Sequence, residues 1–121
     1  MIDHELNELG RRLDLPGLSL NDEGRLQLDM ENVGSLSFER DPNDPESPLT
    51  ISLALAVAPD EAPRRFEAAL KRCDWRNAHA LPLRAALHRD HLIYAVRIEP
   101  RQASAATLEN AVRLLLAEAG L

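Results

Sequence analysis

The sequence predicts an α+β fold in which helices pack on a mainly antiparallel sheet. Three observations predict it. Leucine-rich runs of period two are separated by turn-forming residues, apolar stripes of helical spacing occur near the start, middle and end, and the connections between consecutive strands have hairpin length. At 121 residues, with 45% hydrophobic and 28% charged side chains, the chain suits one folded domain spanning 1–121 with one core. Aromatic residues make up only 3%, so Leu, Ala, Val and Ile must fill that core.

Ile2, Leu6, Leu9 and Leu13 are spaced four, three and four apart, which places them on one face of a helix over about 2–14. Pro16 disfavours α geometry at Leu15, and Gly17 then releases the chain into a turn. Leu18 and Leu20, then Leu26, Leu28 and Met30, alternate with polar residues around Asn21-Asp22-Glu23-Gly24, a composition suited to a hairpin turn. A second turn at 31–34 leads to Leu36 and Phe38. The stretch Asp41-Pro42-Asn43-Asp44-Pro45-Glu46-Ser47-Pro48 can form neither helix nor ladder and reads as an exposed loop.

Leu49, Ile51, Leu53, Leu55 and Val57 form the most regular period-two run, a strand with one face on the core. Pro59-Asp60-Glu61 opens a second helix, with acidic residues at its positive end and Pro63 in its first turn; Phe66, Ala69, Leu70 and Cys73 make its apolar side. Another hairpin follows, Leu81 to Leu87 and Leu92 to Ile98, across His88-Arg89-Asp90-His91. Pro100 ends it, and Ala103 or Ser104 opens a last helix carrying Leu108, Val112, Leu115, Leu116 and Ala119. The order is helix, three or four strands, helix, two strands, helix. An antiparallel sheet of this kind can be covered on one face and leave the other face or an edge for a partner.

Charge and motif content narrow the function. A formal charge of -6 repels nucleic acid and anionic lipid, and no run of about twenty apolar residues suits a membrane span. The acidic opening, Met1 to Leu6, is unlike a secretory signal, and the single cysteine suits a reducing compartment; a cytoplasmic protein is expected. The glycines at 10, 17, 24, 34 and 120 never cluster into a phosphate cradle. His79, His88 and His91 read as turn histidines, two of them being too few for a zinc site, and the 41–46 loop lacks the glycine and the bidentate glutamate of a calcium loop. Cys73 with His79 has the composition of a thiol and its base, but Cys73 falls on an apolar stripe, where a small buried residue is expected. No cofactor, metal or catalysis is expected. Trp75 reads equally as a core anchor and as an interface anchor.

The segments Leu6-Asn7-Glu8-Leu9-Gly10-Arg11-Arg12-Leu13 and Leu15-Pro16-Gly17-Leu18-Ser19-Leu20-Asn21-Asp22-Glu23-Gly24, with the order of the later elements, resemble the class I effector chaperones of bacterial type III secretion, the CesT/SycE-like group. The segment after Asn77, Ala78-His79-Ala80-Leu81-Pro82, departs from the family's frequent glycines, and the 42–48 loop is longer. The resemblance implies an α-β-β-β-α-β-β-α fold with a twisted sheet, a homodimer, and a client that is an extended amino-terminal segment of a secreted effector, held soluble and competent for secretion. By that analogy Leu13, Leu18, Leu20, Leu36 and Phe38 would meet the client, and Phe66, Leu70, Trp75 and Leu83 would form the dimer interface. Ordinary core packing is the alternative for each. A YbjN-like regulatory binding module of the same architecture is the competing reading of the whole chain.

Overall fold

The protein, seen in a computed structural model, is described at residues 2–15, 17–31, 33–73 and 81–120. Its elements run α1 (Ile2–Arg12), β1 (Arg25–Met30), β2 (Gly34–Glu39), β3 (Leu49–Ala56), α2 (Ala62–Arg72), β4 (Leu83–His88), β5 (His91–Ile98) and α3 (Ala105–Glu118), with a 3-10 turn at Pro100–Gln102. This is the expected α-β-β-β-α-β-β-α order. The strands form one antiparallel sheet in the order β1-β2-β3-β5-β4, so β1 and β4 are its edges.

Register follows from the leucine alternation. Leu26, Phe38, Ile51, Val96 and Leu83 align across all five strands, and Leu28, Leu36, Leu53, Tyr94 and Ala85 make the next row on the same face. A shift of one residue would turn every one of these side chains to water, so burial of this face fixes the pairing. The three helices cover that face: α3 lies on β3 and β5, α2 on β4 and β5, and α1 packs chiefly on α3. Leu6 and Leu9 of α1, Leu108, Ala111 and Leu115 of α3, and Phe38, Ile51, Leu53 and Ile98 of the sheet are wholly buried. The opposite face presents small and polar residues, among them Ser35, Ser37, Thr50, Ser52, Ala54 and Ala95, all half-buried.

Several boundaries differ from the expected ones for identifiable reasons. Helix α1 stops at Arg12, not residue 14, because the chain closes a C-terminal capping motif before Pro16 is reached. Asp14 takes a left-handed conformation (φ 58°) and Leu15 N–H donates to the Gly10 carbonyl at 2.6 Å. Leu18 and Leu20 form no strand. Asn21 ends that segment by accepting Glu23 N–H and Arg25 N–H on its Oδ1 (2.9 and 3.0 Å), so its side chain makes the turn that launches β1. Gly24 completes it at φ 78°, where a Cβ would lie 2.1 Å from the Arg40 carbonyl oxygen. Strand β4 begins at Leu83, not Leu81. Ser104, not Ala103, caps α3, its Oγ accepting Thr107 N–H at 3.1 Å.

The 41–48 segment is the expected exposed loop, and it is internally braced. Asp41 and Asp44 accept Asn43 N–H and Glu46 N–H on their carboxylates, each at 2.9 Å, and Arg40 Nη2 donates to the Asp44 carbonyl at 3.1 Å.

Candidate functional site

The least covered part of the helix-bearing face is its β1 end, where no helix packs substantially on the strand. Leu26, Leu28 and Met30 are consequently half-buried, as are Leu13, Leu20 and Val33 nearby in the chain, while Leu15 is 43% exposed. These partly open apolar side chains follow the chain from the end of α1 to the edge strand, an apolar margin in sequence order.

The backbone of β1 is open along the same margin. Arg40 N–H donates to the Gly24 carbonyl (2.9 Å), so the Gly24–Arg40 pair is hydrogen-bonded, and alternation gives the same role to Leu26, Leu28 and Met30 opposite Phe38, Leu36 and Gly34. Arg25, Gln27 and Asp29 then point their N–H and C=O groups away from β2. At Arg25 those groups are taken by Asn21, whose N–H donates to the Arg25 carbonyl at 2.8 Å and whose Oδ1 accepts the Arg25 N–H. Among the described residues nothing takes those of Gln27 and Asp29 on the strand edge, which has apolar side chains on one side. An extended peptide needs this combination in order to add a strand.

Of the residues expected to meet a client, the structure brings Leu13 and Leu20 to this margin, half-buried. Leu18, at 6% exposure, packs in the core, and Leu36 and Phe38, at 2% and 0%, sit beside Leu28 and Leu26 on β2 as core residues. β2 is flanked on both sides, so its inward leucine and phenylalanine are covered. The period-two pattern reports which residues share a face, but not which strand is the edge. Leu15, Leu26, Leu28 and Met30 are the margin residues not singled out beforehand. Their signal was the incomplete covering of a strand joined to the rest by hairpins on one side only.

At the other end of the sheet, α2 covers β4. Leu83 is buried at 5% exposure, Phe66 is half-buried against the core, and Leu70 is 48% exposed. Trp75 lies outside the described residues. Cys73 closes α2 beside α3: partial burial pushes its thiol pKa up, and the Glu118 carboxylate adds to the rise. Burial, again with Glu118, pushes the Tyr94 hydroxyl up as well. Both shifts favour the protonated, unreactive forms, the opposite of what a thiolate nucleophile requires. Glu118 itself is ion-paired with Arg72 at 3.2 Å. Among the described residues there is no group of three or more His, Cys, Asp and Glu placed to hold a metal, and no helix is long and apolar enough to cross a membrane.

With this geometry in place, the comparisons with known proteins are decisive. The model of the family described as type III secretory system chaperone SycN matches residues 1–119. The chain belongs to that family. It is therefore a chaperone of type III secretion, and its effector-binding role follows from the family together with the fold. A search of curated proteins returns no significant match. Among solved structures, the chain is similar to one in the HopA1–SchA chaperone–effector complex, with 18% identity over 97% of this chain and 88% of that one and a TM-score of 0.72. It is also similar to one in the complex of the Yersinia pestis type III secretion chaperone SycH with a stable fragment of YscM2, with 15% identity, coverage of 99% and 98%, and a TM-score of 0.72. A third likeness is to the heterodimeric ExoU–SpcU complex of the Pseudomonas aeruginosa type III secretion system, with 19% identity, coverage of 98% and 88%, and a TM-score of 0.61. At these identities the solved structures establish the shared fold. The SycN-family chain thus carries the secretion-chaperone architecture over nearly its whole length.

Proposed function

We propose that this SycN-family chaperone holds an extended amino-terminal segment of a secreted effector along β1, in the cytosol, and performs no catalysis. The observation that carries the proposal is the outer edge of β1. Gln27 and Asp29 offer backbone groups that are unpaired among the described residues, and the Leu13–Leu15–Leu20–Leu26–Leu28–Met30 margin offers apolar cover to alternate side chains of an added strand. A client bound this way stays non-globular, which suits a chain that must later be threaded through a secretion machine. Leu36 and Phe38 flank Leu28 and Leu26 from β2, and Leu18 is a buried core residue. The rises in the Cys73 and Tyr94 pKa values agree with a non-catalytic role.

The second element of the proposal is a homodimer through α2 and β4, with Leu70 and Phe66 at its centre and Leu83 packed beneath. An exposed leucine beside the sheet's second edge strand is the feature that supports it.

The test is co-expression with the first hundred or so residues of a neighbouring effector gene, followed by size exclusion and light scattering. A stable complex is expected on a particle of twice the 13.5 kDa chain mass. Hydrogen exchange should then show new protection at Gln27 and Asp29. A complex that leaves β1 exchange unchanged would sink the edge-strand reading.

A further inference from the structure

The amino-terminal end of α1 forms a cavity of about 370 Å³ with the 41–48 loop and the approach to α3. Its apolar wall includes Ile2, Pro45, Leu49 and Pro100, and two arginines, Arg40 and Arg101, also line it. Two features of these cations stand out. Most arginines on the helices are ion-paired, including Arg11, Arg12, Arg64, Arg72 and Arg113, whereas among the described residues neither Arg40 nor Arg101 has a carboxylate partner. The Nε of Arg40 is also buried and has no acceptor, although Nη2 of the same guanidinium is held on the Asp44 carbonyl.

The acidic groups nearest these arginines keep their charge but spend their hydrogen bonds on backbone N–H groups and form no ion pair with either arginine among the described residues. Glu5, the one carboxylate lining the cavity, accepts Ala105 N–H at 2.6 Å. Asp41 and Asp44 are turned into their own loop's backbone. Ser104 is occupied as the cap of α3. Two guanidiniums beside an apolar floor, neither of them in an ion pair among the described residues, leave donors for an acceptor from outside, the buried Arg40 Nε among them.

We infer that this cavity binds a carboxylate side chain of a polypeptide, with an adjacent apolar side chain on Leu49 and Ile2. The volume suits one or two side chains, and a carboxylate is the planar acceptor that a guanidinium grips in two places. The source, a peptide and not a free anion, is the part that rests on the chaperone reading. The site would be a second anchor, at the amino-terminal end of α1.

The test follows backbone amide shifts by NMR while the whole protein is titrated with acetyl-Leu-Glu-Leu-Glu-Leu amide, with its Gln counterpart, and with acetate or phosphate alone. Shifts at Ser47, Leu49 and Ala103 are expected with the Glu peptide, about tenfold weaker binding with the Gln peptide, and a similar loss in Arg101→Gln. Arg40→Gln should act likewise; because Arg40 also braces the loop, the exposed Arg101 is the deciding variant. No shifts at the cavity, equal binding of the Gln peptide, or an unchanged Arg101→Gln would overturn the inference. Equal binding of acetate or phosphate would reassign the site to small anions and overturn the peptide source. None of these readings needs a client, so failure of the edge-strand proposal is seen separately.

Discussion

The carboxylate of Glu5 accepts the backbone N–H of Ala105 at 2.6 Å, joining the first turn of α1 to the first turn of α3 across 100 positions of sequence. With Ser104 capping Thr107, two of the donors that α3 leaves open at its start are satisfied, one by its own cap and one by another helix. Glu5→Ala should cost about 1–2 kcal/mol and Ser104→Ala about 1 kcal/mol, measured by urea unfolding. A Glu5→Ala effect within error of zero would mean that the contact between helices does not hold α3.

Gly10 supplies a prediction of unusual sign. Replacing a helical glycine by alanine ordinarily stabilises by up to about 1 kcal/mol. Here a Cβ at position 10 would sit 2.2 Å from the Leu15 carbonyl oxygen, where the chain folds back to cap α1. Gly10→Ala should therefore lower the thermal midpoint, and a raised midpoint would show that the 13–15 turn yields easily.

Much of this fold was legible in advance, because alternating leucines report burial directly. The row from Leu26 to Leu83 could be drawn once the strands were placed, and Ser104, Pro63 and the 41–48 loop act as their chemistry dictates. The end of α1 was misplaced because its capping motif uses Asp14, not glycine, in the left-handed position. The apolar margin was only partly legible. Leu36 and Leu28 have the same local pattern, and only sheet order, a product of long-range pairing, makes one central and the other peripheral.

Glu109 links pH to stability. Hydrogen bonds from Arg113 (2.7 and 3.0 Å) and then Arg12 (3.1 Å) hold its carboxyl below the usual carboxylate range. A depressed carboxylate pKa contributes stability that is present above the unfolded value and is lost as pH falls through the folded one. The difference between the native protein and Glu109→Gln should thus be full at neutral pH and vanish below the carboxylate range. Because these groups meet solvent, salt should shrink it. A difference that persists in strong acid would point to packing instead of charge.

Gln27→Pro probes the open edge without touching the core. Its N–H faces away from β2, so proline removes a donor only a bound strand could use; Leu28→Pro removes one that β2 uses and should unfold the chain. The Gln27 variant is expected to keep the native circular dichroism spectrum and lose at least several-fold in client affinity. Undiminished binding would place the client elsewhere than on the β1 backbone.

Leu70 decides the dimer. At 48% exposure it contributes little to the isolated chain's core, so Leu70→Glu should change single-chain stability by only about 0.5 kcal/mol. In a two-fold dimer built on α2 the same residue occurs twice near the axis, and the substitution buries two like charges in an apolar contact. Light scattering should then give the single-chain mass where the native protein gives twice that. Leu83→Glu is not an equivalent probe, because Leu83 is 5% exposed and its loss would disrupt the sheet whether or not a partner is present. A Leu70→Glu protein that remains a dimer would exclude α2 from the interface and leave the outer edge of β4 as the surface to test.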